Sequence, residues 1–304
     1  MTPIVTHRSM ANIWNCDEMG HMNVRQYIGK ADSATAHMAN ELGLGPRTLA
    51  QDGLLLCTQG HHVRFIREVH AGTGLCIRTL VVEVAETAIR LCHEIRGGGD
   101  DSLRATVTAI CVLMDANRGS LVPFPEETRK RAERLLQPLP LHAAPRGLAM
   151  TPSKHEPTLA RATQLGMTEM FRGTVEPSQC DGNGYMLPSN VIASISDGIP
   201  NFFLELPSDP NGLKFGGAAL EYRLTYHRPC PVGSLVVIMS AMAGVAEKIL
   251  HHVHWMLDAE TGEAIASAHA VSVFFDLVER RAITMPETER RHYRSMVIPE
   301  LSLT

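Results

Sequence analysis

An α+β fold built from two related halves is what this 304-residue sequence predicts. Three observations lead to it. The stretches Asn15-Cys16-Asp17-Glu18-Met19-Gly20-His21-Met22-Asn23 and Gln179-Cys180-Asp181-Gly182-Asn183-Gly184-Tyr185-Met186-Leu187 share Cys-Asp, a Gly three residues after the Asp, then a ring and a Met. They lie 164 residues apart, and further matches follow in the same order at an offset of 161: Arg67 and Gly72 with Arg228 and Gly233, Glu86 with Glu247, His93 with His254, and Asp115 with Asp276. Such order, with only a three-residue drift, marks an internal duplication. Each half then runs apolar segment, helix, succession of strands, which builds an antiparallel sheet rather than βαβ units.

Taken in order, residues 24–42 after the first motif are rich in Ala, with Met38 and Gln26 as further helix formers, and stop at Gly43 and Gly45, as a helix C-terminus does. Residues 188–206 are the counterpart, with Pro188 at the first helical position and Pro207 just beyond the end. Strand-type segments follow at 54–69, 75–84, 88–95 and 103–114, matched by 218–226, 235–242, 249–257 and 264–275. Val107, Ala109, Cys111 and Leu113 alternate with Thr106, Thr108 and Ile110, the period of a strand. Residues 97–101 (Gly-Gly-Gly-Asp-Asp) and 258–262 (Asp-Ala-Glu-Thr-Gly) read as hairpin turns that use Gly for positive φ. One helix covers one face of a sheet, so the two copies are expected to complete a larger core by pairing. The boundaries fall at 1–122 for the first unit and 167–280 for the second. Residues 123–166 between them are a charged helical stretch after Pro125 and a Pro-rich surface linker, and 281–304 form a tail with a short charged helix.

Composition narrows the function classes. With 28 Lys+Arg against 32 Asp+Glu the chain is near neutral, which argues against a protein dominated by nucleic-acid binding. No apolar run reaches the length of a membrane span, and the N-terminus lacks a basic-then-apolar signal. Seven scattered cysteines without a CxxC pair suit reduced thiols in the cytoplasm. Neither a GxGxxG nor a P-loop is present, so no bound nucleotide cofactor is expected. The pairs His61-His62 and His251-His252, with His254, invite a metal, but no carboxylate or Cys completes a ligand set, so none is expected.

The segment from Asp17 through Gly20, His21, Met22 and Asn23 to Tyr27 resembles the Asp-x-x-Gly-His-[apolar]-Asn-x-x-x-Tyr signature of hot-dog fold acyl-CoA thioesterases of the 4-hydroxybenzoyl-CoA thioesterase type. The second copy keeps Asp181, Gly184 and Met186 but has Tyr185, Leu187 and Val191 where the signature has His, Asn and Tyr. The resemblance covers nearly the whole chain. It implies a tandem (double) hot-dog fold, with two antiparallel sheets each wrapping a long helix and packed as an internal pseudo-dimer. It also implies hydrolysis of an acyl-CoA without a cofactor.

Thioester hydrolysis needs a carboxylate, as nucleophile or as base for water, and a donor for the developing oxyanion. The resemblance gives the first role to Asp17 and the second to the N-terminus of the following helix, where Val24 N–H is the donor by register. Gly20 lets the chain turn, Asn23 either orients the thioester or caps the helix, and His21 orders the loop or contacts the CoA. Tyr27, Arg67, Asp181, Tyr185 and Arg228 are the expected substrate contacts, with Arg67 and Arg228 either meeting CoA phosphates or being solvated strand ends. Cys16 should point away from Asp17 on an extended segment, as a small buried thiol. Pro188, which has no N–H, stands where the first copy has Val24, so the second site is expected to be degenerate. The competing functions are a non-catalytic acyl-thioester-binding protein and a hot-dog hydratase or dehydratase. The sequence leaves open the acyl group, CoA against acyl carrier protein, and any homo-oligomer of such chains.

Overall fold

The computed structural model describes residues 3–17, 19–150, 155–203, 215–276, 279 and 281–302. Its contacts divide the chain into residues 1–144 and 145–304.

In the first unit, β1 (Ile4–Met10) leads to the motif loop and α1 (Val24–Glu41) leaves it. The side chain of Asn23 caps α1 by accepting from the Arg25 N–H at 2.9 Å. Tyr27, Ile28, Ala31, Ala34, Thr35 and Met38 are buried, a stripe with the three-and-four spacing of one helix face. This stripe lies against the sheet, for α1 contacts β1 and three of the strands that follow it. The helix stops where Gly43 takes φ +89°, a conformation that costs a residue without Cβ little. Gly45 then opens a short helix the sequence did not announce, α2 (Pro46–Gln51). Next come β2 (Leu54–Phe65), β3 (Gly74–Val84), β4 (Ile89–Gly97), β5 (Leu103–Asp115), β6 (Leu121–Val122) and α3 (Glu126–Arg134). The sheet order is β1-β3-β4-β5-β2, antiparallel throughout, with β6 paired to β5.

The second unit repeats this plan. After α4 (Leu159–Leu165) come β7 (Thr168–Thr174), α5 (Pro188–Phe202), β8 (Phe215–Tyr226), β9 (Leu235–Val245), β10 (Ile249–Asp258), β11 (Ala264–Asp276), β12 (Arg281–Ala282) and α6 (Glu287–Ser295). The order is β7-β9-β10-β11-β8, with β12 on β11 and α5 against β7 and β9. Helix α5 ends at Phe202 with Phe203 as its C-cap, and the rest of the helix expected through Leu206 and its stop at Pro207 lie outside the described residues.

The duplication extends to details no motif announces. Four β-bulges recur at matched places. Thr6 and Met170 interrupt the first strand of each unit, and Val82 and Ala243 the third. Gln59 and Leu220 do the same in β2 and β8, and Arg104 and Ile265 in β5 and β11. Helices α3 and α6 are also a matched pair, each entered from a Pro and followed by one parallel bridge, Val81 to Leu136 and Met242 to Val297. The charged helix expected between the units therefore packs within the first, where its Ala132 joins Leu42, Leu44 and Phe124 in the apolar core. The hairpin turns differ from expectation in one respect. Gly262 takes the left-handed conformation in the second, but in the first it is Asp101, at φ 53°, and none of Gly97, Gly98 and Gly99. Asp tolerates that region through local hydrogen bonding. Gly98 serves a close approach instead, since a Cβ there would stand 3.2 Å from the Gly74 carbonyl carbon.

Buried histidines tie these layers. The His93 Nδ1 lies 2.8 Å from Thr79 Oγ1 and its Nε2 lies 2.9 Å from Thr35 Oγ1, joining β4 to β3 and to α1. Thr6 on β1 extends the chain through Thr79 at 2.7 Å. In the second unit His254 Nδ1 meets Ser240 Oγ at 2.8 Å, the same contact one copy on, while Ile199 and Met170 replace the outer threonines. No described helix is long and apolar enough to cross a membrane, and none of the seven cysteines is in a disulfide.

Burial, reinforced by His61, pushes the His93 imidazole down to about 3. Burial likewise holds His252 and His269 at about 4 and His254 well below its ordinary value. These rings stay neutral when folded and take up a proton when unfolded, so the unfolded state binds more protons between about pH 4 and the unperturbed histidine value of about 6.5. Stability should be full above about pH 6.5 and fall as pH drops, each such histidine costing about 1.4 kcal/mol per pH unit. Urea midpoints measured from pH 7.5 to 4.5 check this, and a His93→Gln variant should show a shallower decline.

Candidate active site

The loop between β1 and α1 is closed by one carboxylate oxygen. Asp17 Oδ1 accepts from the Met19 N–H at 3.0 Å and the His21 N–H at 3.1 Å. Asp17 N–H in turn donates to the His21 carbonyl at 2.8 Å, and Gly20, at φ +78°, makes the reversal between them. The turn sets Cys16 against Met22 as a β-bridge and lets the Asn23 N–H reach the Asn15 carbonyl at 2.8 Å. Asp17 is thus returned to within a few residues of the start of α1. Its other oxygen, Oδ2, has no hydrogen-bond partner among the described residues.

At the helix start, Asn23 spends its side chain on the Arg25 N–H, and Gln26 N–H bonds the Asn23 carbonyl. The Val24 N–H has no partner among the described residues. It lies at the positive end of the helix, where a developing negative charge is stabilised. Tyr27 sits one turn in, buried, its ring edge-on to Phe65 at 5.0 Å. Burial raises its phenol far above the ordinary range, the Asp17 charge adds to the rise, Arg104 opposes it, and Glu68 and Cys16 add again. Asp17, Glu68 and Arg104 therefore share one electrostatic neighbourhood with Tyr27. Cys16 is half-buried rather than buried, its thiol 3.4 Å from the Asn12 carbonyl.

Glu68 and His70 are brought to this corner from the segment after β2, and the sequence did not single them out. His21 and His70 form a β-bridge, and Met22 N–H bonds the carbonyl of Val69 between them at 2.7 Å. The matching Arg67-to-Gly72 and Arg228-to-Gly233 segments were the available signal, because they mark where this strand end meets the motif.

The second unit keeps the turn and changes the rest. Asp181 Oδ1 accepts from the Asn183 and Tyr185 N–H groups at 2.8 and 3.0 Å, and Gly184 takes φ +81°. Pro188 begins α5 without an N–H, and Leu187 cannot cap it. Asn190 instead sends its amide to the Gln179 carbonyl at 2.7 Å. Tyr185 is paired with Pro231 where His21 is paired with His70. The two arginines also part ways. Arg228 is held by Glu263 at 2.7 Å and Asp258 at 3.1 Å, whereas the exposed Arg67 guanidinium has no partner among the described residues.

The other candidates are elsewhere. His252 and His254 do share one face, their rings stacked 6.0 Å apart, but each is bonded to a serine, Ser272 and Ser240. A carboxylate does stand by His61, Asp32 at 3.4 Å, though two donors are not a ligand set. An apolar gap in the first unit, lined by Thr35, Leu42, Leu56, Ile89 and Phe124, is about 10 Å³. That is near the room one water needs, and Thr35 lies roughly 16 Å along α1 from Val24.

Residues 11–132 and 175–291 match the family model described as the thioesterase-like superfamily. Among solved structures, the chain is similar to a protein from Lactobacillus plantarum provisionally designated an oleoyl thioesterase, at TM-score 0.68 and 14% identity over 93% of this chain and 97% of that one. It is also similar to an acyl-ACP thioesterase from Bacteroides thetaiotaomicron, at TM-score 0.64 and 12% identity over 88% and 96%. A 12:0-ACP thioesterase from Umbellularia californica gives TM-score 0.64 and 14% identity over 88% and 95%. At these identities the likeness establishes the fold, a hot-dog fold in two tandem domains. No curated protein matches in sequence.

The Asp17 turn can be tested as structure, apart from any chemistry. Asp17→Asn keeps an oxygen at Oδ1 and should leave the urea midpoint nearly unchanged. Asp17→Ala removes both acceptor contacts and should cost about 1–3 kcal/mol, read from the same denaturation curves.

Proposed function

The chain belongs to the thioesterase-like superfamily, and on that premise we propose that it hydrolyses an acyl-CoA thioester to the free acid and CoA at the Asp17 motif of the first unit. The observation that carries this reading is the pairing of an uncommitted Asp17 Oδ2 with an uncommitted Val24 N–H at the two ends of one closed loop. The carboxylate takes a proton from the attacking water, or attacks the thioester carbonyl itself to form an acyl anhydride that water then hydrolyses to the free acid. In either route the Val24 N–H and the helix end receive the oxyanion, the C–S bond breaks, and the departing thiolate takes up a proton that the water supplies. Asn23 serves as the helix cap, keeping that N–H aimed outward, and Tyr27 gives the loop a buried wall. Gly20 and the His21 backbone shape the turn.

Arg67, exposed and unpaired among the described residues, supports an anionic thiol carrier with phosphates beyond the pantetheine arm, which is the case for CoA. Two of the similar structures are named for acyl-ACP, so carrier protein is the alternative the assay must separate. Asp181 and Tyr185 belong to a second site that lacks the first-residue N–H, and it is inactive in this reading. Arg228 is committed to its own hairpin. Pairing of the two units as an internal pseudo-dimer is part of the same proposal and rests on the duplicated sequence.

Thiol release from a panel of acyl-CoA and acyl-ACP substrates is the test. Asp17→Asn should lower kcat by about 10²–10⁴ on the best substrate, the range of a positioned acid–base group or nucleophile. Asp181→Asn should leave turnover within about twofold, and a non-hydrolysable acyl-CoA analogue should bind once per chain. Undiminished turnover in Asp17→Asn, or equal losses in both variants, contradicts the assignment. Tight analogue binding without turnover on any substrate would make the protein a binder.

A further inference from the structure

Beside the motif loop stand three metal-ligating side chains that the hydrolysis does not use. His21 Nε2 lies 3.4 Å from Glu68 Oε2, His70 Nε2 lies 3.8 Å from the same oxygen, and the three donor atoms are all within 4.8 Å of one another. The two imidazoles meet edge to face, centroids 5.0 Å apart. Val69, between Glu68 and His70, is fully buried with its carbonyl bonded to Met22, which fixes the backbone from which both ligands project.

The spacing of this cluster suits a shared cation. An N–H···O hydrogen bond spans about 2.7–3.2 Å, and both contacts to the Glu68 oxygen are longer. Ligands about 2.0–2.2 Å from a tetrahedral zinc ion stand roughly 3.3–3.6 Å from each other. A carboxylate oxygen held between two imidazole nitrogens at 3.4 and 3.8 Å has the spacing of groups that share a cation, slightly opened. The side chains are 18% exposed at His21, 43% at Glu68 and 61% at His70, so an ion and a fourth ligand reach the site from solvent.

The second unit acts as an internal control. It makes the same backbone bridge, Tyr185 to Pro231, with Tyr185, Pro229 and Pro231 at the three donor positions. The fold at this corner therefore forms without any of the ligands. All three are present in one copy and all three absent from the other.

We propose that His21, Glu68 and His70 form a divalent transition-metal site, two imidazoles and one carboxylate with an open fourth position, and that zinc is the ion it takes. Two neutral nitrogens and a carboxylate are donors of the borderline softness that zinc prefers over calcium or magnesium. The site stands on geometry alone and holds whether or not Asp17 hydrolyses thioesters.

The test titrates the full chain, prepared without an affinity tag and stripped with chelator, with zinc chloride by calorimetry. One tight site per chain is expected. His70→Ala and Glu68→Ala should each weaken it by more than about 100-fold, beyond what outer-shell changes cost, while His37→Ala, on the exposed face of α1, leaves it unchanged. Cobalt(II) should give visible d–d bands in the parent chain that disappear in His70→Ala, with circular dichroism verifying that the variants fold. Absence of a tight site, or its retention in both ligand variants, overturns the proposal. Neither result bears on thiol release, so the two readings fail separately.

Discussion

One oxygen atom organises each half of this molecule. Asp17 Oδ1 in the first copy and Asp181 Oδ1 in the second each accept two loop N–H groups, from the residues on either side of a left-handed Gly that closes the reversal. A strand that must hand over to a long helix within a few residues has backbone donors to satisfy and no regular structure to satisfy them with. The carboxylate supplies the acceptor, the bridge between Cys16 and Met22 follows, and the helix starts where the loop returns. Because only one of the two carboxylate oxygens is used, the same residue can hold the turn and still present a charged group at the helix end.

The two copies show how far structure and chemistry separate. Strand order, four bulges, the turn, the paired flanking helices and a buried histidine on a hydroxyl are all held in common. The differences that bear on the candidate site lie at the helix start and the strand end facing it. There the first copy has Val24, Asn23, His21, Glu68 and His70, and the second has Pro188, Leu187, Tyr185, Pro229 and Pro231. Prolines are compatible with the same backbone because a first helical residue and a strand end need no donated N–H. The scaffold is indifferent to these substitutions, whereas any chemistry that needs a backbone donor or an imidazole is not.

The buried histidines follow the same logic in the interior. His93 uses both ring nitrogens to join α1, β3 and the sheet centre, so its polarity is satisfied. In the second copy Ile199 leaves His254 Nε2 without a partner among the described residues. An unmet buried nitrogen costs about 1–3 kcal/mol, which makes the second helix the less firmly anchored of the two by this contact.

The duplication, the α+β order, the long helices and the Asp turn were legible in the sequence by itself. They are written in local periodicity, Gly and Pro punctuation and a motif whose residues act within one loop. Asn23 as cap and Pro188 as first helical residue followed from the same local rules. Other features depended on what the chain meets after folding. The place of α3 within the first unit is set by Ala132 against Leu42 and Phe124, a contact invisible in a charged stretch that reads as surface. Asp101 rather than a neighbouring Gly takes the left-handed position because register across the hairpin, not composition, assigns it. Glu68 and His70 lie nearly fifty residues from His21 and carry no spacing signal. Antiparallel pairing places them against the motif loop, and only tertiary structure decides which distant side chains share a corner.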